Sequence, residues 1–449
     1  MKTGSSARPR VLLVSANRER QPMPVVPNGV ACVASALDAA GHDVRVLDLA
    51  FARDPHAAAR EAARAHDPDV IGISVRNIDN SDLIALRHYT PEARALLDTL
   101  RAAAPRARVV AGGAACGVAP VALFETLDVE FAVAGVVFSP PGGDADLDAL
   151  PDARMQRWLD LRAYQRRGAT VPIQTKRGCV FKCVYCTYLN VEGWGYRLRD
   201  PARVAEEMAE LVRDAGVRDF DFVDSTFNAP PRHAMDVCEA ILRRGLRVHL
   251  DTSNFTPAAA PDELLALMRR AGFRSLGITA ESASDPVLAQ LQKGFDARQV
   301  RDVAERVERA GLGVLWIFLV GGPGETRETL EETLRFAASR LERGDAVYLT
   351  VGLRIYPGTT LHRIAREEGV VAPGDPLLVP RFYFSRALGV EATVARLRAF
   401  AAAHPRFMFS ADSRSPLLPH LTRLASVLHL PRPHWRYMGV FQRISRAVS

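Results

Sequence analysis

Arg177-Gly178-Cys179-Val180-Phe181-Lys182-Cys183-Val184-Tyr185-Cys186 puts three of the chain's six cysteines within eight residues, spaced C-x3-C-x2-C. Such tight spacing suits neither three independent core thiols nor an ordinary disulfide framework. It suits an iron–sulfur cube, because soft iron prefers soft thiolate. A four-iron cube filled at every corner by protein takes four thiolates. Cys32, Cys116 and Cys238 stand apart and form no second group. Three thiolates leave one iron open to a ligand that is not protein, and an open iron beside a pocket is a site for chemistry. The competing reading is a zinc knuckle. Zinc closes with four ligands, and no second Cys or His pair follows at finger spacing.

The spacing C-x3-C-x-aromatic-C, with Tyr185 as the aromatic, resembles the signature of the radical S-adenosylmethionine (SAM) superfamily. The resemblance implies a [4Fe–4S] cluster on Cys179, Cys183 and Cys186, with the amino and carboxylate groups of SAM on the fourth iron. It implies reductive cleavage of SAM to methionine and a 5'-deoxyadenosyl radical, fed by an external electron donor of the flavodoxin or ferredoxin type.

Upstream of the cysteines, strand-like runs alternate with helical spacing. Val11-Leu12-Leu13-Val14 is the first strand, and Val30, Val33, Leu37 and Ala40 recur on one helix face that Gly41 stops. Further strands fall at 44–49, 69–75, 108–113 and 130–135, with helices at about 55–66 and 91–103. Strict alternation predicts a doubly wound parallel sheet, with ligands at the carboxyl ends of its strands. The loops at 15–29, 74–81 and 112–117 are therefore the ones to examine. No G-x-G-x-x-G follows the first strand, so a dinucleotide site is not indicated. Pro27-Asn28-Gly29-Val30, Gly41-His42-Asp43-Val44, Pro68-Asp69-Val70-Ile71-Gly72-Ile73-Ser74 and Gly112-Gly113 resemble the cobalamin-binding domain that precedes many radical SAM domains. That resemblance implies cobalamin contacts at Ser74, Gly112 and Gly113. The D-x-H-x-x-G motif that carries a cobalt-ligating His is absent. His42 and His66 lie at helix ends, and neither is a replacement. The segment 136–143 lacks the usual G-E-G-E-like turn.

Residues 140–152 are rich in Pro, Gly and Asp and mark a boundary. Trp158 and Tyr164, in the bridging segment 155–167, are expected to be packing residues. From Val171 a second repeat begins, with strands at 171–175, 219–224, 247–252, 275–280, 313–320 and 347–355. Helical faces such as Val204, Met208, Leu211, Ala215 lie between them. Six βα units predict a partial barrel with its active site at the strand C-termini. The cysteines follow the first of these strands. At the other strand ends the resemblance implies SAM contacts at Asp224, Ser225, Glu281, Ser282, Gly321, Gly322, Glu325 and Tyr356, with Tyr185 beside the cluster. Val223-Asp224-Ser225 stands where G-G-E is often found in the family. A helix cap is the plainer role for Asp224. A tight strand-to-helix turn is the plainer role for Gly321-Gly322-Pro323-Gly324. Tyr188 and Trp194 are candidates to line a substrate cavity, with packing as the alternative.

The whole chain thus reads as α/β: a cobalamin-binding-like doubly wound domain (1–140), a linker (141–170), a partial (β/α)6 radical SAM barrel (171–370) and a mainly helical C-terminal extension (371–449). Its 449 residues are 48% hydrophobic and 24% charged, ordinary for a globular protein. No apolar run is long enough for a membrane span and no signal peptide is visible, so the chain is expected in the cytoplasm, where thiols stay reduced. The net charge of +7 is spread over helices carrying both signs, and no basic run with interleaved aromatics indicates nucleic acid. The resemblance implies a cobalamin-dependent C-methyltransferase acting on a small metabolite or natural-product intermediate. A rearranging or cyclising radical SAM enzyme with structural or no cobalamin is the alternative, and a non-catalytic corrinoid or SAM sensor a third. No catalytic acid or base stands out.

Overall fold

In the computed structural model, the described residues are 8–20, 23–129, 131–132 (backbone only), 146–410 and scattered positions between 420 and 444. The first sheet is built from β1 (Arg10–Ser15), β2 (Asp43–Asp48), β3 (Val70–Ser74), β4 (Arg108–Gly112) and β5 (Phe131–Ala132). All pairs are parallel, in the order β2-β1-β3-β4-β5. Leu12, Val14, Ile71, Ile73, Val109 and Ala111 point to one face and are covered by the helices Pro55–His66 and Thr90–Ala103. Val11 and Leu13 point the other way, toward Val30 and Ala34 of the helix Asn28–Ala39. The strand order reverses between β1 and β3, which opens a crevice at their carboxyl ends. The expected fifth strand is described only at Phe131–Ala132, and the rest of 130–135 and the segment 136–143 lie outside the described residues.

The bridging segment is laid along the first helix. Trp158 Nε1 donates to Ser35 Oγ at 2.9 Å, and Ser35 Oγ donates to Ala153 O at 2.8 Å. Tyr164 Oη donates to Asp48 at 2.6 Å. Both aromatics are packing residues with a polar handle, as expected.

The second unit opens with β6 (Val171–Ile173) and a short antiparallel hairpin, β7 (Lys176–Arg177) with β8 (Arg197–Leu198). β9 (Asp219–Phe222), β10 (His249–Thr252), β11 (Ser275–Glu281), β12 (Gly313–Val320) and β13 (Ala346–Val351) follow. β6, β9 and β10 pair in parallel, as do β11, β12 and β13. The bridges Leu250↔Phe273 and Phe255↔Ile278 close the arc between the two sets. The core is aromatic: Phe222, Phe227 and Phe273 pack within 5.5 Å of one another, and Phe336 meets Trp316 edge-on at 5.0 Å. Helix starts are fixed by side chains, as where Asp200 accepts from Ala202 N and Asp296 forms a capping box with Gln299.

Two features differ from the sequence reading. The sixth barrel strand does not run through to Ile355. It breaks at Gly352, whose φ is +75° and whose added Cβ would sit 2.8 Å from Leu83. The chain then turns into β14 (Leu353–Arg354), which pairs antiparallel with β15 (Phe382–Tyr383). A seventh parallel strand, β16 (Phe407–Phe409), follows the helix Val390–Ala403 and pairs with β13. Among the described residues no helix is long and apolar enough to cross a membrane.

Candidate active site

The cysteine loop is rigid because its backbone leaves little choice. Gly178 has φ +88°, and a Cβ there would collide with Gly195 O. Cys179 N donates to Gly193 O and Gly195 N donates to Cys179 O, so the loop is stitched to the strand that returns from Trp194. Val184 N donates to Leu291 O at 3.2 Å, and Leu361 N donates to Val184 O at 2.8 Å. All six cysteines are free thiols. Cys179 is buried, while Cys183 and Cys186 are half-buried. Burial pushes the Cys183 thiol up and the Cys186 thiol up to about 12. Left alone, such thiols are inert, and a soft cation is what holds them as thiolates. Tyr188 N already points at Cys186 Sγ, at 3.4 Å. Among the described residues no three Cys, His, Asp or Glu groups converge on a single ion. Three corners of a cube do not need to, since each thiolate takes its own iron. Cys116 and Cys238 are buried in separate cores, and Cys32 lies near Asn28. The donor set therefore fits a three-cysteine cluster.

Asp224 is buried at the foot of this loop. Oδ1 accepts from Thr175 N at 2.7 Å and Lys176 N at 3.2 Å, and Oδ2 accepts from Thr175 Oγ1 at 2.7 Å and Lys176 Nζ at 3.1 Å. Four protein donors occupy this carboxylate. Neither a helix cap nor an open ligand contact describes it; it anchors the cluster loop. Lys176, also buried, was not legible as its partner, because a Lys beside Arg177 reads as solvated. Ser225 Oγ donates to Gly178 O at 2.5 Å and braces the same loop.

Glu281 ends β11 at a register slip, with φ +64°. Its Oε1 accepts from Tyr185 Oη at 2.8 Å and Lys293 Nζ at 3.4 Å. Its Oε2 is buried with no partner. Tyr185 and Glu281 are thus brought together, and Lys293 joins them unannounced by any motif. Ser282 Oγ sits 3.1 Å from Thr333 Oγ1 and accepts from Ser284 N, which fixes the following turn. Glu325 closes the glycine turn: its Oε2 accepts from Gly321 N at 2.5 Å and Gly322 N at 3.2 Å. Burial lifts its carboxyl to about 7 against the pull of these two N–H groups. Gly321 has φ +95°, and the Phe384 ring stands where its Cβ would be.

Tyr356 lies elsewhere. Its hydroxyl sits 2.8 Å from Ser81 Oγ of the first domain. It lines a cavity of about 810 Å³ between the two units, with Ser74, Gly112, Gly113, Arg76 and Tyr188. One wall is the carboxyl ends of β3 and β4; the other is the segment just after Cys186. The cavity continues down the sheet face past Leu13, Gly72 and Val110. A Cβ at Gly112 would meet nothing within 4 Å, so this glycine opens onto free space. A wide rim of small residues above an apolar slot fits a corrin with its nucleotide tail. His42 lines the cavity too, but at the amino end of β2, away from the rim. Trp194 does not line it; it is 60% exposed and carries the Lys182 ammonium over its ring at 5.3 Å.

Comparison with known proteins matches residues 173–337 to the radical SAM superfamily and residues 18–138 to the B12 binding domain. Both domains are thus present, the B12-binding domain ahead of the radical SAM domain. An uncharacterized methyltransferase of Pyrococcus horikoshii is 31% identical over 43% of the chain, which spans 41% of that relative's length. The tryptophan 2-C-methyltransferase of Streptomyces laurentii is 24% identical over 77% of the chain and 73% of its own length. The fold is that of the radical SAM methyltransferase TsrM from Kitasatospora setae, solved with cobalamin and a [4Fe–4S] cluster: TM-score 0.84 at 24% identity, covering 98% of this chain and 100% of that one.

Proposed function

We propose that this radical SAM protein is a cobalamin-dependent methyltransferase that places a methyl group on a carbon of a small organic acceptor. The observation that carries the reading is the shared cavity: Tyr188, two residues beyond Cys186, and the rim residues Ser74 and Gly112 face the same space. When bound, the cluster with SAM supplies reductive radical chemistry and cobalamin supplies methyl carriage. The chain's own residues position and enclose. Cys179, Cys183 and Cys186 hold the cluster, on a loop fixed by Asp224, Lys176 and Ser225. Glu281 Oε2, a buried acceptor without a partner, is our candidate to receive the amino group of SAM. Gly321 and Gly322, held by Glu325, and Ser282 shape the adjoining wall. Gly112 and Ser74 would receive the corrin, with Gly113 turning the chain beside them against Val75. The inter-unit contacts frame the space in which an acceptor would lie. Electrons come from a flavodoxin- or ferredoxin-like donor, in a reducing cytoplasm.

Anaerobic reconstitution with iron, sulfide and hydroxocobalamin, then desalting, tests this. About four irons with stoichiometric cobalt are expected. Iron without cobalt would remove the methyl carrier and, with it, the methyltransferase reading.

A further inference from the structure

Lys293 follows the helix Asp285–Gln290, in a turn where Gln292 and Gly294 have φ +53° and +73°. A lysine at such a helix end ordinarily reaches water. This one is 7% exposed. Its ammonium donates to Tyr185 Oη at 3.1 Å and Glu281 Oε1 at 3.4 Å. It also lies over the rings of Tyr185 and Phe295, at 5.6 and 5.7 Å. Tyr185 stands between Cys183 and Cys186 in the sequence, so the ammonium is held against the cluster loop.

A buried ammonium is expensive, and an apolar side chain of the same volume would pack there more cheaply. Nor is it needed to tie the turn to the loop, since Val184 N already donates to Leu291 O. What Lys293 adds, and Met would not, is charge. Glu281 carries a full counter-charge, but the ammonium hydrogen-bonds the Cys183 sulfur and acts on it more strongly than the carboxylate does. An electron arriving on a cluster in a low-dielectric site is stabilised by a nearby fixed cation.

We propose that Lys293 is a positioning residue that holds a fixed positive charge beside the cluster of Cys179, Cys183 and Cys186, eases its one-electron reduction, and is opposed by the Glu281 carboxylate. The inference rests on the cluster reading above. It predicts opposite signs for two substitutions. Lys293→Met removes a cation and makes reduction harder; Glu281→Gln removes an anion and makes it easier.

The test uses the reconstituted full chain without SAM: wild type, K293M, E281Q and the double variant. Iron is measured first. The cluster is then titrated with mediator dyes and dithionite as the one-electron source, and the reduced form is followed by electron paramagnetic resonance. At the wild-type midpoint, K293M is expected to lower the reduced-to-oxidised ratio about tenfold, a shift of about 59 mV for a one-electron couple. E281Q is expected to raise it, and the double variant to fall between the two. If K293M loses its iron, E281Q decides: a rise supports the proposal and no rise overturns it. Iron retained with an unmoved midpoint in K293M, or shifts of the same sign in both single variants, overturns it and leaves the cluster reading intact. A wild type without iron overturns the cluster reading and the inference together.

Discussion

Each thiol of the cluster loop meets a different environment. Cys179 is buried and hydrogen-bonded through its backbone, Cys186 accepts an N–H from Tyr188, and Cys183 feels the Lys293 ammonium. Together they are the cluster's three protein ligands. Changing any of the three to Ala is therefore expected to abolish nearly all bound iron. Cys32→Ala, beside Arg177 but outside the loop, and Cys238→Ala, buried in the helix Pro231–Arg243, should leave iron content unchanged. Chemical iron analysis after desalting separates the two groups. Glu325 gives a second residue-scale prediction, with a defined sign. Burial lifts its carboxyl from 4.5 to about 7 in the folded chain. The native state then binds a proton that the unfolded chain has already released. The stabilisation is complete below about pH 4.5 and is lost as pH rises through about 7, a term on the order of 3 kcal/mol. Glu325→Gln keeps an acceptor for Gly321 N and Gly322 N but has nothing to titrate. Urea melts of both proteins across that window should show wild-type stability falling relative to the variant as pH rises. A constant difference would mean that Glu325 is ionised throughout.

Among elements, those with a strong period were legible and those defined by a partner were not. β12 alternates buried and half-buried positions over eight residues and was readable to its ends, Gly313 and Val320. The break at Gly352 was not, because the sequence shows a glycine but not Leu83 arriving from the other domain. β16 was invisible for a simpler reason: three residues, Phe407–Phe409, are too few to carry a period. The candidate site divides the same way. The cysteine spacing is chemistry written in one stretch. The Lys176–Asp224 and Lys293–Glu281 pairs are made by segments 48 and 12 residues apart, and nothing local marks those lysines as buried. Tyr356, expected as a SAM contact after a strand running to Ile355, instead follows β14 and meets Ser81, a partner that only the packing of two domains could supply. β16 also carries an energetic prediction. Phe407 is fully buried, meets Phe400 edge-on at 4.8 Å and extends the sheet past β13. Phe407→Ala should cost about 3–5 kcal/mol, visible as a lower urea midpoint. If the midpoint stays, the seventh strand is an ornament on a barrel that is already complete at β13.

At the scale of the whole molecule, the site exists only while two units stay docked, because each supplies one wall of the cavity. The docking has an identifiable centre. Arg354 Nε donates to Asp79 Oδ2 at 2.8 Å, with both side chains buried. Arg354 Nη2 donates to Leu377 O at 2.7 Å, and its guanidinium lies over the Tyr356 ring at 4.8 Å. Tyr356 then meets Ser81. The loop after β3 is thus held against β14, and that loop forms the rim around Arg76 and Ser81. Removing one partner of a buried pair leaves the other charge uncompensated, at a cost of about 3–5 kcal/mol. Replacing both with groups of like shape avoids most of that cost. Arg354→Met should therefore loosen the rim, while the cysteine loop keeps its own anchors, Asp224 and Lys176. The expected result after reconstitution and desalting is normal iron with cobalt reduced several-fold. Asp79→Asn combined with Arg354→Met should recover much of the cobalt. If Arg354→Met loses iron and cobalt together, the pair supports the barrel as a whole and not the seam. If it loses neither, the Trp158–Ser35 and Tyr164–Asp48 contacts along the bridging segment are enough to hold the cavity closed.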